Sequence, residues 1–307
     1  MDGMGAAMSG DDERSQQPYE PPPDHVNWFN HKLAQWPEFW AGHGYGSVPD
    51  LTGLRVLDVG CGLGGYAVSA VMAGAEVVGI DVDGPSLRFA RHTLHDRFPE
   101  LAPRLQVLQM AIEDYHDDSG FDYVITQETF EHILALGPAL TGLARLLRPQ
   151  GTLLASWGPW TSALSGHDLQ FYLEWMRGPP WWKPLRTRIT TDSRTVDTLF
   201  RIPIPFSHRL FTNQALQQYG RRNPGKAHGT IQDVVSMNGL SIPDYVRIIA
   251  DSPFEIQRWK TNVGKHPGYI LLRLLSRIPG LTDAFTHNIY ATLALSDQVP
   301  SGVDEED

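Results

Sequence analysis

The chain has 307 residues, with 41% hydrophobic residues and 25 Lys plus Arg against 35 Asp plus Glu, a formal charge of -10. That is enough apolar material for one large domain with a real core, and the negative balance works against a nucleic-acid partner over most of the surface. Cys61 is the only cysteine, which excludes an intrachain disulfide and a cysteine-built zinc site; no basic-then-apolar leader and no membrane-spanning run is read in the sequence, so the expectation is a cytoplasmic chain with no membrane partner and no metal.

Residues 1–24 are rich in Gly, Asp, Gln and Pro and end in PYEPPPD. They are expected to form a disordered arm. The next stretch, 25–50, opens with HVNWFNHKLAQWPEFW, whose Trp28, Leu33, Trp36 and Trp40 suit an amphipathic lid helix interrupted near Pro37. Residues 51–296 are expected to be the main domain. In it LRVLDV, AEVVGID, RLQVLQM, FDYVITQ and GTLLASW alternate with helical patterns over about 66–73, SLRFARHTLHDRF and about 128–147. Strand and helix in that rhythm predict an α/β fold with a parallel sheet covered on both faces. The alternation stops after Trp157, and 157–250, rich in Pro, Trp and Arg, is expected to be an insertion on the substrate side. FEIQRWKTNV and NIYATLALS then recover strand character around the helical YILLRLLSRI, and 297–307 is expected to be a frayed acidic tail.

The chemistry starts at VLDVGCGLGG, residues 56–65. Glycines directly behind a strand serve a phosphate on helix amides, a nucleoside lying across the turn, or a tight turn with no ligand. Asp58 precedes the glycines and would repel a pyrophosphate, while it suits a ligand that presents a cation. A phosphate loop needs Lys and Ser or Thr after the last glycine, and Gly65-Tyr66-Ala67 supplies neither. Asp81 ends the second strand, where a carboxylate can accept hydrogen bonds from both ribose hydroxyls.

These motifs, with AIEDY before FDYVITQETFEHI and with LARLLRPQGTLLAS, resemble class I S-adenosylmethionine-dependent methyltransferases over about residues 54–156. The resemblance, closest in kind to a small-molecule, ubiquinone-biosynthesis-like branch, implies a Rossmann-like seven-stranded, mostly parallel sheet with helices on both faces and its last strand antiparallel. It also implies S-adenosyl-L-methionine as cofactor. By the resemblance Asp58, Gly60 and Gly62 meet the methionine portion, Asp81 the ribose and Val82 the adenine. Ala111, Ile112 and Glu113 fall where the adenine is capped, with Ala111 standing where an Asp is common, so that amides or Glu113 would take its place. Gln127 and His132 fall in the loop that faces the methionine end. Cys61 belongs to the same turn as a small packing residue and has no basic neighbour to make it a nucleophile.

Methyl transfer asks the protein to align an acceptor, exclude water and, for a hydroxyl acceptor, take up a proton. His167, in the Gly-His-Asp after the fifth strand, is the expected base, with Asp168 beside it and His132 as runner-up. Tryptophans 28, 36, 40, 157, 160, 175, 181 and 182 suggest an apolar pocket for a flat acceptor. Arg177, Arg186, Arg188, Arg194, Arg201 and Arg209 offer partners for a carboxylate or phosphate. The expected partner is therefore a small-molecule acceptor methylated at oxygen. Nitrogen or carbon methylation, a macromolecular substrate and non-catalytic nucleoside binding stand as alternatives, and a homodimer through the tryptophan-rich helix is also open.

Overall fold

The computed structural model describes residues 19–159, 238–263, 270–278 and 281–296. The strands are β1 (Arg55–Val59), β2 (Glu76–Asp81), β3 (Leu105–Gln109), β4 (Phe121–Gln127), β5 (Leu147–Trp157), β6 (Phe254–Asn262) and β7 (Asn288–Leu295). They form one sheet in the order β3-β2-β1-β4-β5-β7-β6. The first five run parallel, and β7 is antiparallel to both β5 and β6. The chain order reverses between β1 and β4. Ligands of open parallel sheets sit in the crevice beyond the carboxyl ends of strands at such a point.

Neighbouring residues along a strand point to opposite faces, and the core divides accordingly. Leu57, Val124 and Leu153 pack on one face with α4 (Leu136–Leu146) and α5 (Ile242–Ala250), whose Leu140, Leu143, Tyr245 and Ile249 are buried. Val56, Ile125 and Leu154 pack on the other with α1 (Pro23–Gly42), α2 (Gly65–Met72) and α3 (Gly84–Arg97). The Rossmann-like sheet with helices on both faces is thus the observed architecture. Two short helices, α6 (Ile270–Leu275) and α7 (Thr282–Phe285), lie in the β6–β7 connection. Among the described residues no helix is long and apolar enough to cross a membrane.

Two expectations are corrected. The first helix begins at Pro23, inside the stretch assigned to the arm, and runs unbroken past Pro37. Proline in a helix interior removes one hydrogen bond and crowds the preceding turn, but here the turn is held by an aromatic cluster. Trp36 and Phe39 lie with ring centroids 5.4 and 5.1 Å from Tyr66, and Phe29, Trp36, Phe39 and Trp40 are buried. The second correction concerns 128–147: the helix starts only at Leu136, and 128–135 form turns. Asn238 explains the delay, because its side-chain amide donates to the carbonyls of Phe130 (2.7 Å) and Ile133 (3.0 Å) and its backbone amide to that of Glu131 (2.7 Å). Those carbonyls are the acceptors a helix would have used.

Candidate active site

The glycine turn connects β1 to α2 at the switch point. Gly60 and Gly62 have φ 72° and 50°, a left-handed backbone that L side chains rarely adopt. The amides of Gly60 and Cys61 donate to the Ile80 carbonyl at 2.8 and 3.1 Å, which staples the turn to β2. A Cβ on Gly60 would overlap Thr129, and one on Gly65 would come within 2.6 Å of Lys32 Cβ. On Gly62 it would meet no atom nearer than Asp81 Oδ2 at 4.0 Å. Two of these glycines are therefore needed by the protein's own close packing, and Gly62 by its backbone conformation.

Asp81 organises the turn. Its Oδ2 accepts from the Gly62 amide at 2.7 Å and its Oδ1 from the Asp83 amide at 2.8 Å. Each carboxylate oxygen keeps a further lone pair for another donor. Asp58 is only 3% exposed and its Oδ2 has no hydrogen-bond partner. Burial, then the neighbouring charge of Asp81, pushes its carboxyl up to about 7, against the pull of the Ala67 amide and of Lys32. A buried carboxyl in that condition is stabilised by a cation. Burial, followed by Asp58 and Asp81, raises the Cys61 thiol well above its usual range, which suits packing and not nucleophilic attack.

Two cavities adjoin the turn. The larger, about 530 Å³, is bounded by Gly60, Asp81 and Val82 on one side and by Ala111, Ile112 and Glu113 on another, with His132 also on its wall. Seven of the sequence-derived site residues thus share one crevice. Asp58, Cys61 and Gly62 do not line it; the first two are buried, and Gly62 is tied to Asp81. The smaller cavity, about 300 Å³, takes Gln127 and His132 together with residues of α1 and β7. Glu128 and His132 stand on the walls of both. His132 lies in a turn, its amide donating to the Thr129 carbonyl at 2.8 Å, and not in the helix expected over about 128–147.

Further residues of TQETFEHI also stand on these walls. Glu128 is the only described non-glycine residue with positive φ, 54°, a conformation that the surrounding structure must hold in place. Lys32 of α1 binds its carboxylate at 2.7 Å and lies 4.6 Å from the Trp28 ring centre. Glu131 is completely buried on the wall of the smaller cavity, and burial pushes its carboxyl up to about 8. The signal for Glu131 was the acid four residues beyond the end of β4. Nothing in the sequence showed that the turn would bury it.

The described tryptophans do not build the expected apolar pocket. Trp36, Trp40 and Trp157 are core residues, Trp28 is half exposed, and none of the four lines either cavity. Their large apolar rings are buried between helix and sheet instead. His167, Asp168, the tryptophans at 160, 175, 181 and 182 and the arginines from 177 to 209 lie outside the described residues. Among the described residues no group of three His, Cys, Asp or Glu is placed to hold a metal ion.

Residues 57–155 match the model of a family described as "Methyltransferase domain". Over these residues the chain carries a methyltransferase domain. This methyltransferase domain is similar to the ubiquinone biosynthesis O-methyltransferase of Rhodopseudomonas palustris (strain TIE-1), 31% identical over 142 residues, which cover 44% of this chain and 54% of that protein. It is also similar to the mitochondrial enzyme of that name from Mus musculus, 36% identical over 106 residues, 34% of this chain and 28% of that one. The chain thus spans about half the length of the bacterial relative. The geranyl diphosphate C-methyltransferase of Streptomyces coelicolor A3(2), solved with S-adenosyl-L-homocysteine, has a TM-score of 0.51 at 15% identity, covering 90% of this chain and 88% of that one. Likeness at that identity is one of fold. The chemistry around the crevice suits the family's cofactor as well, for Asp81, Glu113 and Glu128 on its wall and Asp58, buried nearby with one oxygen unpartnered, can receive a sulfonium and an ammonium.

Proposed function

We propose that the protein transfers a methyl group from S-adenosylmethionine to an oxygen of a small organic acceptor. The observation that carries this reading is that the crevice at the switch point and the second cavity meet at Glu128 and His132. A cofactor in the first then faces an acceptor in the second, as in-line transfer requires. The likeness to O-methyltransferases over the matched part of the chain supports oxygen as the atom methylated.

Asp81 would hold the ribose, since its carboxylate is already fixed by two amides. Val82, Ala111, Ile112 and Glu113 would bound the adenine, with Glu113 taking the part of the acid that Ala111 lacks. Asp58, Gly60, Gly62, Gln127 and His132 would serve the charged methionine end, with Cys61 packing beneath the turn. When bound, the cofactor supplies a methyl group made electrophilic by the sulfonium. The remaining work falls to the chain's own residues. Gln35, Glu38 and Phe39 of α1 wall off the second cavity, so α1 would act as the lid that excludes water. Glu131 is poised to take a proton from an acceptor hydroxyl, because a base works best with its pKa near the operating pH. His167 remains the base proposed from sequence, and single variants of the two separate them.

Calorimetric titration with S-adenosylmethionine, S-adenosylhomocysteine and NAD at one pH tests the reading. Stoichiometric binding of both adenosyl ligands and none of NAD is expected. Binding of NAD alone, or of no ligand, would overturn it.

A further inference from the structure

The turn after β4 carries an ion pair to which the function proposed above gives no part. Glu128 lines both cavities, and its backbone is held at φ 54°, a strain that persists only where the surroundings enforce it. Its carboxylate lies 2.7 Å from the Lys32 ammonium of α1. Gly65 lets α1 come this close to the glycine turn, since a Cβ there would stand 2.6 Å from Lys32 Cβ and 3.2 Å from the Phe29 carbonyl oxygen. Lys32 stands outside both linings with its side chain 12% exposed, while that of Glu128 is 45% exposed. The lysine's charge reaches both Asp58 and Glu131, where it opposes the effect of burial. Among the described residues neither lining contains a lysine or an arginine.

We infer that the Lys32–Glu128 pair receives the zwitterionic amino-acid head of the cofactor, Lys32 taking its carboxylate and Glu128 its ammonium. The inference rests on the methyltransferase function proposed above and adds to it a receiver for the carboxylate. The sulfonium and the ammonium find acids at this end of the crevice, whereas the carboxylate meets repulsion from those same acids unless a cation stands among them. Lys32 is that cation. Of its three ammonium protons Glu128 takes one, and the rings of Trp28 and Tyr66 lie 4.6 and 5.9 Å from Nζ. A carboxylate makes a stronger, charge-assisted bond than a ring face does, so a head group can displace the rings and leave Glu128 free to turn to its ammonium. Two opposite charges 2.7 Å apart match a ligand whose own two charges sit on one carbon. A ligand with the amine alone matches half of the pair.

The test is calorimetry on the full chain with two ligands that differ only in the carboxylate, S-adenosylhomocysteine and its decarboxylated counterpart S-adenosyl-3-thiopropylamine. Wild type should bind S-adenosylhomocysteine about ten-fold tighter, the size of one charged hydrogen bond. Lys32→Met, which keeps an unbranched apolar stem against Trp28 and Gly65, should close that gap by weakening S-adenosylhomocysteine while the amine binds no more weakly, and Lys32→Arg should restore it. Glu128→Gln should weaken both ligands, since both keep the ammonium. Equal binding of the two ligands by wild type, a result that depends on no variant's folding, would overturn the inference. So would a gap that survives in Lys32→Met, as expected if His132 or His287 on the walls took the carboxylate, an equal loss of both ligands in that variant, the mark of a merely structural lysine, or no loss of either in Glu128→Gln. Failure of S-adenosylhomocysteine to bind wild type at all would instead bring down the function on which the inference rests.

Discussion

The two edges of the sheet hold the same residue types in opposite states. At the amino ends of β1 and β4, Arg55 lies 2.8 Å from Asp117, the Arg55 amide donates to Asp122, and Arg148 lies 2.6 Å from Asp122. The Arg55 guanidinium holds the Asp117 carboxyl down at about 2. Burial acts against ionisation of Asp122, yet the Arg55 amide and Arg148 together keep it below its ordinary value. At the carboxyl ends of the same strands, burial pushes Asp58 up to about 7 and Glu131 up to about 8. One edge pairs its acids with guanidinium groups; the other holds two acids whose ionisation is opposed by burial. Such a site costs stability in the free protein, and it is by this cost that a function-bearing edge differs from a structural one.

The largest effect that would sharpen the contrast is on turnover. Glu131→Gln should lower methyl transfer by about 10²–10⁴-fold and remove a rise in rate as pH passes through about 8, the pH at which the wild-type carboxyl ionises. If His167→Ala removes that rise and Glu131→Gln leaves it, His167 is the base. Next in size is Asp81→Ala, which takes an acceptor from the Gly62 amide and from the ribose it is proposed to hold. Calorimetry should show S-adenosylhomocysteine affinity reduced about 100-fold, consistent with the loss of one or two charged hydrogen bonds.

Arg55→Ala, at the satisfied edge, should do the reverse. By taking the guanidinium from Asp117, which keeps only the Ser119, Gly120 and Tyr115 donors, it should lower stability by about 2 kcal/mol, read as a melting temperature lower by roughly 5 °C, and leave S-adenosylhomocysteine affinity unchanged. A loss of affinity would mean that the two edges are coupled. The smallest effect is expected from Asp58→Asn. Between about pH 4, where an unfolded aspartate ionises, and about 7, the folded protein holds a proton that the unfolded chain has released. Stability therefore falls as pH rises through that window and stays reduced above it. Melts of the unliganded protein should show the Asn variant matching wild type near pH 4 and becoming the more stable of the two as pH rises toward 8. A variant that is less stable at pH 8 would show that Asp58 is structurally required in its charged form.

The amino-acid sequence by itself determined the α/β alternation and the glycine turn between two acids, because these depend on local spacing, while its resemblance to a known family pointed to the residues that line the switch-point crevice. An apolar run followed by glycine, and an acid at the end of the next run, specify a strand, a turn and a strand end whatever lies around them. Tertiary structure decided the rest. It kept α1 helical through Pro37 by burying its aromatic face against Tyr66, and it delayed the start of the predicted helix after β4 to Leu136 by sending Asn238, more than a hundred residues away in sequence, to the carbonyls of Phe130 and Ile133. The same fold buried Glu131 and placed it, with Glu38 and Asn288, on the lining of the second cavity. Burial and charge proximity are properties of packing between distant segments, so the ionisation state of an acid in TQETFEHI could not be read from its neighbours in the chain.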